Sequence, residues 1–386
     1  MLRRPSRAAL PSPLRERFVV DDETNIRRTL ELAERGRGLV SPNPLVGALV
    51  VAPDGSPAGE GWHEGPGKPH AEVVALAEAG ERARGGTLFC SLEPCNHVGR
   101  TPACTEAIVD AGITRVVAAV IDPNPITNGR GIARLREAGI EASAGVLEEE
   151  ASRQNEAFFW HMKTGLPFVT LKLAATLDGK IAARDGSSTW ITGDESRAEV
   201  QRLRAASDAI MVGAGTVVTD NPHLTARDPE YRGEPVLRVV IDGSGRVNPT
   251  SHVFDDEAPL VVATTDAVPV ATRETWRAGG ADVLIVETDG DGRVSIDAVL
   301  ADLGKRDIQS VLLEGGSTLA DTAIRAGVVG KVILFFAPKL LGGVDAPSIL
   351  GGRGFPSLAE AAQLAIVDVE RIGPDVKVEA YVHRNR

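Results

Sequence analysis

Three side chains that commonly bind zinc, His70, Cys95 and Cys104, constrain the fold of this chain more than any other feature of its sequence. One imidazole and two thiolates make a three-ligand zinc site whose fourth coordination position stays open to water. The surrounding sequence predicts a helix over 71–79 that starts at His70, a strand over 87–92 ahead of Cys95, and a second helix over 101–111. The predicted site therefore rests on a helix followed by a strand-loop-helix unit.

Glu72 lies two residues after the histidine, where its carboxylate can move the protons of a zinc-bound water. The metal lowers the pKa of that water toward neutrality. Glu72 would then take the water proton and pass protons to a ring nitrogen and to departing ammonia. This arrangement is typical of zinc-dependent hydrolytic deaminases that act on a nucleobase-like ring.

Each of these residues also has an ordinary structural interpretation. His70 alone could be a capping or core histidine, and Cys95 and Cys104 could be buried thiols, as we expect Cys90 to be. The combination of His-x-Glu with Pro-Cys and a second cysteine favours the metal site. Pro94 is expected to start a helical turn that orients Cys95.

Strands and helices are predicted to alternate along the chain, which is typical of an α/β fold with helices on the faces of a sheet. A connecting helix is expected over 148–162, and the pattern restarts at residue 168. We therefore predict two domains, 21–166 and 167–386, after a disordered leader over 1–20. The other predicted helices cover about 26–35, 131–138, 195–206, 296–303 and 318–326. The other predicted strands cover 46–51, 115–121, 140–144, 168–174, 209–213, 236–241, 260–263, 283–286, 311–313, 332–336 and 376–382.

The net charge and the cysteines limit the kinds of partner and the cellular compartment that we expect. The chain has 42 Lys and Arg against 53 Asp and Glu, a formal net charge of −11, which disfavours a general nucleic-acid binder with a basic face. Its three cysteines cluster between residues 90 and 104, unlike a secreted disulfide framework, and favour a reducing, cytoplasmic compartment. Residues 1–20 lack the apolar core of a signal peptide. No later segment has the roughly eighteen uninterrupted apolar residues of a membrane span, so no membrane partner is expected.

The spacing of the two cysteine ligands departs from the general deaminase signature, which has two residues between them. Here residues 96–103 separate Cys95 from Cys104. The stretch Ser-Leu-Glu-Pro-Cys-Asn-His-Val-Gly-Arg-Thr-Pro-Ala-Cys at 91–104 closely resembles the bifunctional deaminase/reductase family of bacterial riboflavin biosynthesis. The flanking motifs agree: Ser-Pro-Asn-Pro-Leu-Val-Gly at 41–47, Gly-Trp-His at 61–63, Asp-Pro-Asn-Pro at 122–125 and Gly-Arg-Gly at 129–131. The long spacing is then a marker of that branch.

Residues after 167 resemble the pyridine-nucleotide reductase half of the same family. The resemblance covers 21–386 and implies a cytidine-deaminase-like αβα domain followed by a dihydrofolate-reductase-like α/β domain. The matching segments are Leu-Lys-Leu-Ala-Ala-Thr-Leu-Asp-Gly-Lys at 171–180, Trp-Ile-Thr-Gly at 190–193, Val-Gly-Ala-Gly-Thr-Val at 212–217, Asp-Asn-Pro-His-Leu-Thr at 220–225, Glu-Gly-Gly-Ser-Thr-Leu at 314–319 and Ala-Pro-Lys-Leu-Leu-Gly-Gly at 337–343.

Two adjacent glycines, Gly315 and Gly316, lie between a predicted strand and a predicted helix. Glycine lets the backbone approach a pyrophosphate, and a helix N-terminus offers free N–H groups to it. The pattern is not G-x-G-x-x-G, so it does not predict a Rossmann fold. Taken alone, two glycines at a strand end are more often a simple turn.

The resemblance implies two successive reactions. The first is zinc-dependent hydrolytic removal of the 2-amino group of 2,5-diamino-6-(5-phosphoribosylamino)pyrimidin-4(3H)-one. The second is reduction of the ribosyl group of 5-amino-6-(5-phosphoribosylamino)uracil to ribityl, with NADPH as cofactor. Small phosphorylated pyrimidines are the expected partners, and a homo-oligomer is expected. Two alternatives stay open: a nucleic-acid-editing deaminase, and a deaminase whose C-terminal half serves only as a binding or oligomerisation module.

The resemblance also implies site residues. Asn43, His63 and Arg100 are expected to hold substrate in the deaminase half. The reductase substrate is expected at Ser188, Arg204, Leu224, Arg227 and Glu314, with the two arginines binding phosphate. NADPH is expected along Ala174, Trp190, Thr216, Asp220, Gly316, Ser317, Thr318, Leu319, Ala320, Asp321 and Thr322.

Several of these residues have simpler interpretations. Asn43 could only form a turn, and Trp190 could be a core tryptophan. The alternative of an ordinary surface residue applies to His63, Arg100, Arg204 and Arg227. Lys172 and Asp178 lie in matching segments, but the sequence assigns them no role.

Overall fold

The computed structural model describes residues 21–97 and 102–382. The expected leader over 1–20 and Arg100 lie outside the described residues. Within them the chain forms two β-sheets that are flanked by helices, and the predicted mixed α/β fold is confirmed.

The N-terminal sheet has the spatial strand order β2-β1-β3-β4-β5 in the described residues. Its strands are β1 (Gly47–Val51), β2 (Pro57–Trp62), β3 (Thr87–Cys90), β4 (Arg115–Ala118) and β5 (Glu141–Ala144). Strand β1 pairs antiparallel with β2 and β3, whereas β3, β4 and β5 run parallel to one another. Because strand side chains alternate between faces, Ala48 and Val50 enter one apolar cluster and Leu49 enters another.

Helices cover both faces of this sheet. They are α1 (Asp22–Glu34), α2 (Ala71–Ala79), α3 (Cys104–Asp110), α4 (Arg130–Glu137), α5 (Glu148–Gln154) and α6 (Glu156–Thr164). Helices α2, α3 and α4 bury Ala75, Ile108 and Leu135 against one face. Helices α1 and α6 bury Ile26 and Phe158 against the other.

Glycines in β2 bring α2 into direct backbone contact with the sheet. A Cβ atom on Gly61 would lie 2.3 Å from the carbonyl oxygen of Ala71, and one on Gly59 would lie 2.3 Å from that of Ala75. Any larger residue would therefore push the helix outward. The first turn of α2, which follows His70, is positioned by this close approach.

The C-terminal sheet has the order β10-β9-β8-β7-β11-β6-β12-β14-β13 in the described residues. Its strands are β6 (Phe168–Thr176), β7 (Ala209–Gly213), β8 (Leu237–Ile241), β9 (Leu260–Thr264), β10 (Asp282–Ile285), β11 (Ser310–Leu313), β12 (Val329–Ala337), β13 (Leu364–Ile372) and β14 (Asp375–Val382). Strands β12, β14 and β13 pair antiparallel, and the other neighbours run parallel. Its helices are α7 (Asp194–Ala205), α8 (Ala214–Asp220), α9 (Val270–Ala278), α10 (Ile296–Lys305) and α11 (Ser317–Arg325).

Strand β11 lies in the middle of this sheet, between β6 and β7. Its residues Val311, Leu312 and Leu313 are at most 1% exposed. Parallel strands buried on both faces read as continuous apolar runs, which is why 311–313 was recognisable in the sequence.

Three local predictions are wrong. Residues 93–96 contain no helix, so Pro94 does not start a helical turn, and the helix predicted over 101–111 begins at Cys104. The single connecting helix predicted over 148–162 is two helices, α5 and α6, separated at Asn155. The Asn155 side chain accepts from the Leu45 N–H at 2.8 Å and donates to the Leu45 carbonyl at 2.9 Å. At this break between α5 and α6, the Asn155 side chain therefore fixes the loop that precedes β1.

One contact between the two halves of the chain joins α6 to strands β12 and β14. Glu156, the first residue of α6, forms an ion pair with Lys331 of β12, and the Tyr381 hydroxyl donates to Glu156 at 2.5 Å. Lys331 also pairs with Glu379 at 2.9 Å.

Across residues 21–97 and 102–382, each helix is too short or too polar to span a bilayer.

Candidate functional site

His70, Cys95 and Cys104 come together from three separate elements. His70 is the residue before α2, Cys95 lies in the irregular segment after β3, and Cys104 is the first residue of α3. His70 Nδ1 is 3.2 Å from the Cys104 sulfur and 3.5 Å from the Cys95 sulfur. The ligand atoms of the three residues all lie within 4.8 Å of one another.

The donor set fits a zinc ion. One imidazole and two thiolates are ligands that zinc prefers, and three protein ligands leave a fourth position open. Hydrogen bonds from Cys104 and from the His70 ring lower the pKa of Cys95 to about 4, so Cys95 already favours the thiolate that a metal requires. The hydrogen bond with Cys95, together with burial, in turn raises the pKa of Cys104. Cys90, by contrast, is a fully buried thiol whose pKa is raised by burial, as expected of a structural cysteine.

Glu72 projects from the first turn of α2 into the same site. Its side chain is buried, with 3% of the residue exposed, and its Oε2 atom has no hydrogen-bond partner among the described residues. Burial, together with the nearby Cys95 thiolate, raises the pKa of Glu72 to about 7. A buried carboxyl group with a free oxygen beside three metal donors is suited to receive and release a proton.

Asn43 and His63 lie next to each other beside the three metal donors. The His63 Nδ1–H donates to the Pro69 carbonyl at 3.1 Å, and Asn43 Nδ2 donates to His63 Nε2 at 2.9 Å. His63 is only 4% exposed, so its interpretation as a surface residue is wrong. Burial lowers the pKa of His63, which favours the neutral ring that these two hydrogen bonds require.

A cavity of about 430 Å³ connects these residues with the metal donors. It also contains side chains that sequence reasoning did not select, of which Asp122 belongs to the Asp-Pro-Asn-Pro motif noted in the sequence. Burial raises the pKa of Asp122 to about 6. His97, which also lines the cavity, belongs to the 91–104 segment noted in the sequence. The others lie outside those motifs: Lys68, His161, Asp307 and Gln309.

A second cavity, of about 590 Å³, lies at the carboxyl ends of β7, β8 and β11. Ligands of parallel α/β sheets bind at this edge of the sheet. Six of the residues expected to bind NADPH line the cavity: Thr216, Gly316, Ser317, Thr318, Leu319 and Thr322.

The second cavity fits a dinucleotide in shape and in charge. A Cβ atom on Gly215 would meet nothing within 4 Å, and one on Gly316 would come no closer than 3.9 Å to its neighbours, so both positions leave room along the backbone. Gly316 caps the N-terminus of α11, where free N–H groups can receive phosphate oxygens. Arg246 and Arg293, which the sequence analysis did not select, also line the cavity and form no ion pair among the described residues.

Other residues expected along NADPH lie elsewhere. Ala320 is fully buried in the core, Asp321 pairs with Arg325 at 3.1 Å, and neither residue lines the cavity. Ala174, Trp190 and Asp220 do not line the cavity either. Trp190 is 68% exposed, which rules out a core tryptophan, and the Arg197 guanidinium lies 4.7 Å from its ring centre.

Glu314 and Arg204, both expected to bind the reductase substrate, pair with each other. Arg204 donates from Nε at 2.6 Å and from Nη2 at 3.0 Å to the two oxygens of Glu314, and Lys172 lies 3.1 Å from Glu314 Oε2. Burial alone would raise the pKa of Glu314, but the charges of Lys172 and Arg204 outweigh it and lower the pKa to about 2. Lys172 therefore has a defined partner, and Arg204 is not a surface residue.

The remaining predicted residues differ in exposure. The Leu224 side chain is 2% exposed and packs in the apolar core, and its φ of 53° is unusual for leucine. Arg227 is exposed and Ser188 is half-buried. Asp178 accepts from the Leu341 N–H at 3.1 Å and the Gly342 N–H at 2.6 Å, so it ties the turn after β6 to the loop after β12.

Each half of the chain matches a known protein family. Residues 19–120 match the cytidine and deoxycytidylate deaminase zinc-binding region, and residues 167–378 match the RibD C-terminal domain. The riboflavin biosynthesis protein RibD of Bacillus amyloliquefaciens is 42% identical over 95% of this chain and 100% of its own length. RibD of Escherichia coli K12 is 41% identical over 92% of this chain and 98% of its own length.

Solved structures agree with the sequence relatives. Acinetobacter baumannii RibD superposes with a TM-score of 0.84 at 35% identity and covers 94% of this chain and 99% of its own. A Thermotoga maritima protein described as a diaminohydroxyphosphoribosylaminopyrimidine deaminase/5-amino-6-(5-phosphoribosylamino)uracil reductase gives 0.83 at 36% identity, with the same coverage. Both halves and their order match these relatives, which disfavours a deaminase with a merely structural C-terminal half. The chain therefore belongs to the RibD family of riboflavin biosynthesis proteins, with a zinc-type deaminase followed by an NADPH-dependent reductase.

Proposed function

We propose that this chain converts 2,5-diamino-6-(5-phosphoribosylamino)pyrimidin-4(3H)-one into 5-amino-6-(5-phosphoribosylamino)uracil and then reduces the ribosyl group of that product to ribityl. The observation that carries the proposal is the convergence of His70, Cys95 and Cys104 beside the buried, partly unpartnered carboxyl group of Glu72. The division of labour is residues 21–166 for deamination and 167–386 for reduction.

In the first reaction, His70, Cys95 and Cys104 would hold zinc. Bound zinc would act as a Lewis acid that lowers the pKa of a coordinated water toward neutrality. Glu72 accepts a proton from the attacking water and delivers protons to the ring nitrogen and to the leaving ammonia, so that water is consumed and ammonia is released. Its burial keeps its pKa near 7, where a carboxyl group can both take up and return a proton.

The pyrimidine would be held by the side chains that lie around the metal donors. Asn43 donates one amide hydrogen to His63 and keeps its carbonyl oxygen for the substrate's amino groups. Arg100 is proposed to bind the phosphoribosyl part, by its place in the family motif.

In the second reaction, NADPH supplies a hydride, and the protein orients the coenzyme and the substrate. Thr216 and the first two turns of α11, from Gly316 to Thr322, would hold the coenzyme, with Ala174, Trp190 and Asp220 at its margins. Arg246 and Arg293 offer positive charge to its phosphates.

The substrate of the second reaction would lie near Glu314. Three of the five N–H donors of Arg204 are used by Glu314 and the Thr225 carbonyl, which leaves two for the substrate. Arg227 is exposed and free to bind the phosphate, Ser188 adds a hydroxyl, and Leu224 contributes its backbone, since its side chain is buried in the core.

We propose a homo-oligomer in a reducing, cytoplasmic compartment, without nucleic-acid or membrane partners. The outer strand β13 exposes Ile366 and Val369, 64% and 58% respectively, which suits burial against a second copy. Thiolate metal ligands favour a reducing environment. The negative net charge disfavours binding to nucleic acid, and labelled tRNA should not be shifted at low salt.

A coupled assay tests the proposed function. The purified chain should release ammonia from the diaminopyrimidine without NADPH and should oxidise NADPH once the deaminated product is present. Glu72→Gln should lower ammonia release at least about a hundredfold, since it removes the proton carrier, and should leave the zinc content and NADPH oxidation unchanged.

Glu78→Gln is the matched control, because Glu78 lies on the exposed side of the same helix and the charge change is the same. Normal ammonia release by Glu72→Gln would overturn the role of Glu72. Failure of the wild-type chain to oxidise NADPH with deaminated substrate would overturn the reductase assignment.

A further inference from the structure

One wall of the N-terminal cavity is built by the C-terminal half of the chain. Asp307 and Gln309, which precede β11, line this cavity together with His70, Glu72 and Cys95. The cavity in which deamination is proposed is therefore not formed by residues 21–166 alone.

The backbone of Gln309 is fixed firmly within the C-terminal sheet. Its N–H donates to Asp208 Oδ2 at 2.9 Å, and its carbonyl accepts from the Phe168 N–H at 2.7 Å. The residue is 4% exposed. Its side chain thus starts from a rigid base at the beginning of β11.

From that base the side chain reaches across to the N-terminal half. Gln309 Nε2 donates to the Pro42 carbonyl at 2.6 Å. Pro42 precedes Asn43, whose amide donates to His63 Nε2 at 2.9 Å beside the metal donors. The other end of this loop is held by Asn155, which pairs with both backbone polar groups of Leu45. The loop that carries Asn43 is therefore held from two sides, at Pro42 by the C-terminal half and at Leu45 by the linker between α5 and α6.

We propose that Gln309 is a positioning residue for the deaminase: it sets the loop that presents Asn43 to the pyrimidine, so the reductase half contributes to substrate binding in the first reaction. This rests on the proposed function of Asn43 as a substrate contact. The zinc donors and Glu72 are positioned by other elements, namely α2, α3 and the segment after β3. The influence of Gln309 falls on substrate binding and leaves the proton-transfer step intact.

The test is the Gln309→Met variant of the full chain, which keeps the size of the side chain and removes its hydrogen-bond donor. The KM of deamination should rise about three- to tenfold, the factor that one neutral hydrogen bond provides. The kcat of deamination should stay within about twofold, and zinc content should be unchanged. NADPH oxidation with deaminated substrate should also be unchanged, which shows that the C-terminal half is folded.

Tyr381→Phe is the matched control, because it removes the hydrogen bond from Tyr381 to Glu156 elsewhere between the two halves. It should leave the KM of deamination within about twofold. An equal rise in KM for both variants, or no rise for Gln309→Met, would overturn the inference.

Asn43→Ala separates this inference from the function on which it rests. A raised KM for Asn43→Ala with an unchanged KM for Gln309→Met would refute the role of Gln309 alone. An unchanged KM for Asn43→Ala would refute Asn43 as a substrate contact, and the inference about Gln309 would fall with it.

Discussion

Two buried glutamates occupy opposite electrostatic environments in this chain. Burial and the nearby Cys95 thiolate raise the pKa of Glu72 to about 7, although the neighbouring His70 acts in the opposite direction. Glu314 lies between Lys172 and Arg204, so its pKa falls to about 2 despite burial. Burial disfavours the charged form of both, and the neighbouring charges decide the outcome. The first carboxyl group is suited to exchange protons, and the second stays ionised and fixes two cations.

The low pKa of Glu314 gives a prediction about stability. A carboxylate whose pKa is lowered on folding stabilises the folded state above its unfolded pKa of about 4.5 and loses that contribution as the pH falls toward 2. Glu314→Gln should therefore lower the free energy of unfolding at pH 7 by about 3 kcal/mol, since it leaves two buried cations without their partner.

The difference between wild type and variant should be constant above about pH 5 and should shrink by more than half by about pH 3. Unfolding temperatures of both proteins from pH 7 to pH 3 measure it. A difference that does not change over this range would show that Glu314 has an ordinary pKa.

For single residues, the sequence predicted those site residues that belong to contiguous motifs. His70, Glu72, Cys95 and Cys104 were identified because their spacing carries the chemistry. Arg246, Asp307 and Gln309 were not, because the sheet alone brings them to the two cavities. Pairing between β6 and β11 likewise explains why Lys172 acquired a role only in the structure.

Among the secondary-structure elements, β2 and α2 pack backbone against backbone beside the metal site. The sequence of β2, Pro-Ala-Gly-Glu-Gly-Trp, contains no β-branched residue, which is why it was not predicted as a strand. Its glycines serve close packing against α2 rather than strand propensity. Strand β13 and helices α8 and α9 were also missed, whereas the buried parallel strands and the helix that follows His70 were predicted.

Gly61→Ala tests the contact between β2 and α2. The new methyl group would lie 2.3 Å from the Ala71 carbonyl oxygen, so the first turn of α2 must shift. Overpacking of this kind costs about 1–3 kcal/mol. The variant should unfold several degrees lower than wild type and should bind less zinc per chain, because His70 moves with the helix.

Gly290→Ala is the control for this substitution, because a methyl group there meets nothing within 4 Å. It should match wild type in unfolding temperature and in zinc content. Full zinc occupancy in Gly61→Ala would mean that the helix can shift without moving His70.

On the scale of the whole molecule, the two proposed substrate sites lie near opposite ends of one strand, β11. Gln309, just before β11, lines the first cavity, and Glu314, just after β11, lies in the proposed substrate site of the reductase. Five residues of extended chain span about 16 Å. Alternation of strands and helices predicted two α/β units, but it could not predict which ends of which strands would meet, because that depends on the packing of the two halves.

Removal of zinc should separate the two activities. A chelator that strips His70, Cys95 and Cys104 of metal should abolish ammonia release and leave NADPH oxidation with deaminated substrate largely intact. Added zinc should restore the first activity. Loss of both activities together would mean that the metal also maintains the C-terminal half.

The packing of β11 has a consequence for the molecule that passes between the two reactions. Val311, Leu312 and Leu313 are sealed between neighbouring strands, and no more than 1% of any of them is exposed. These three residues therefore leave no open passage along the strand itself. The aminouracil formed near one end of β11 therefore has to reach the other end by a route that does not run along this strand.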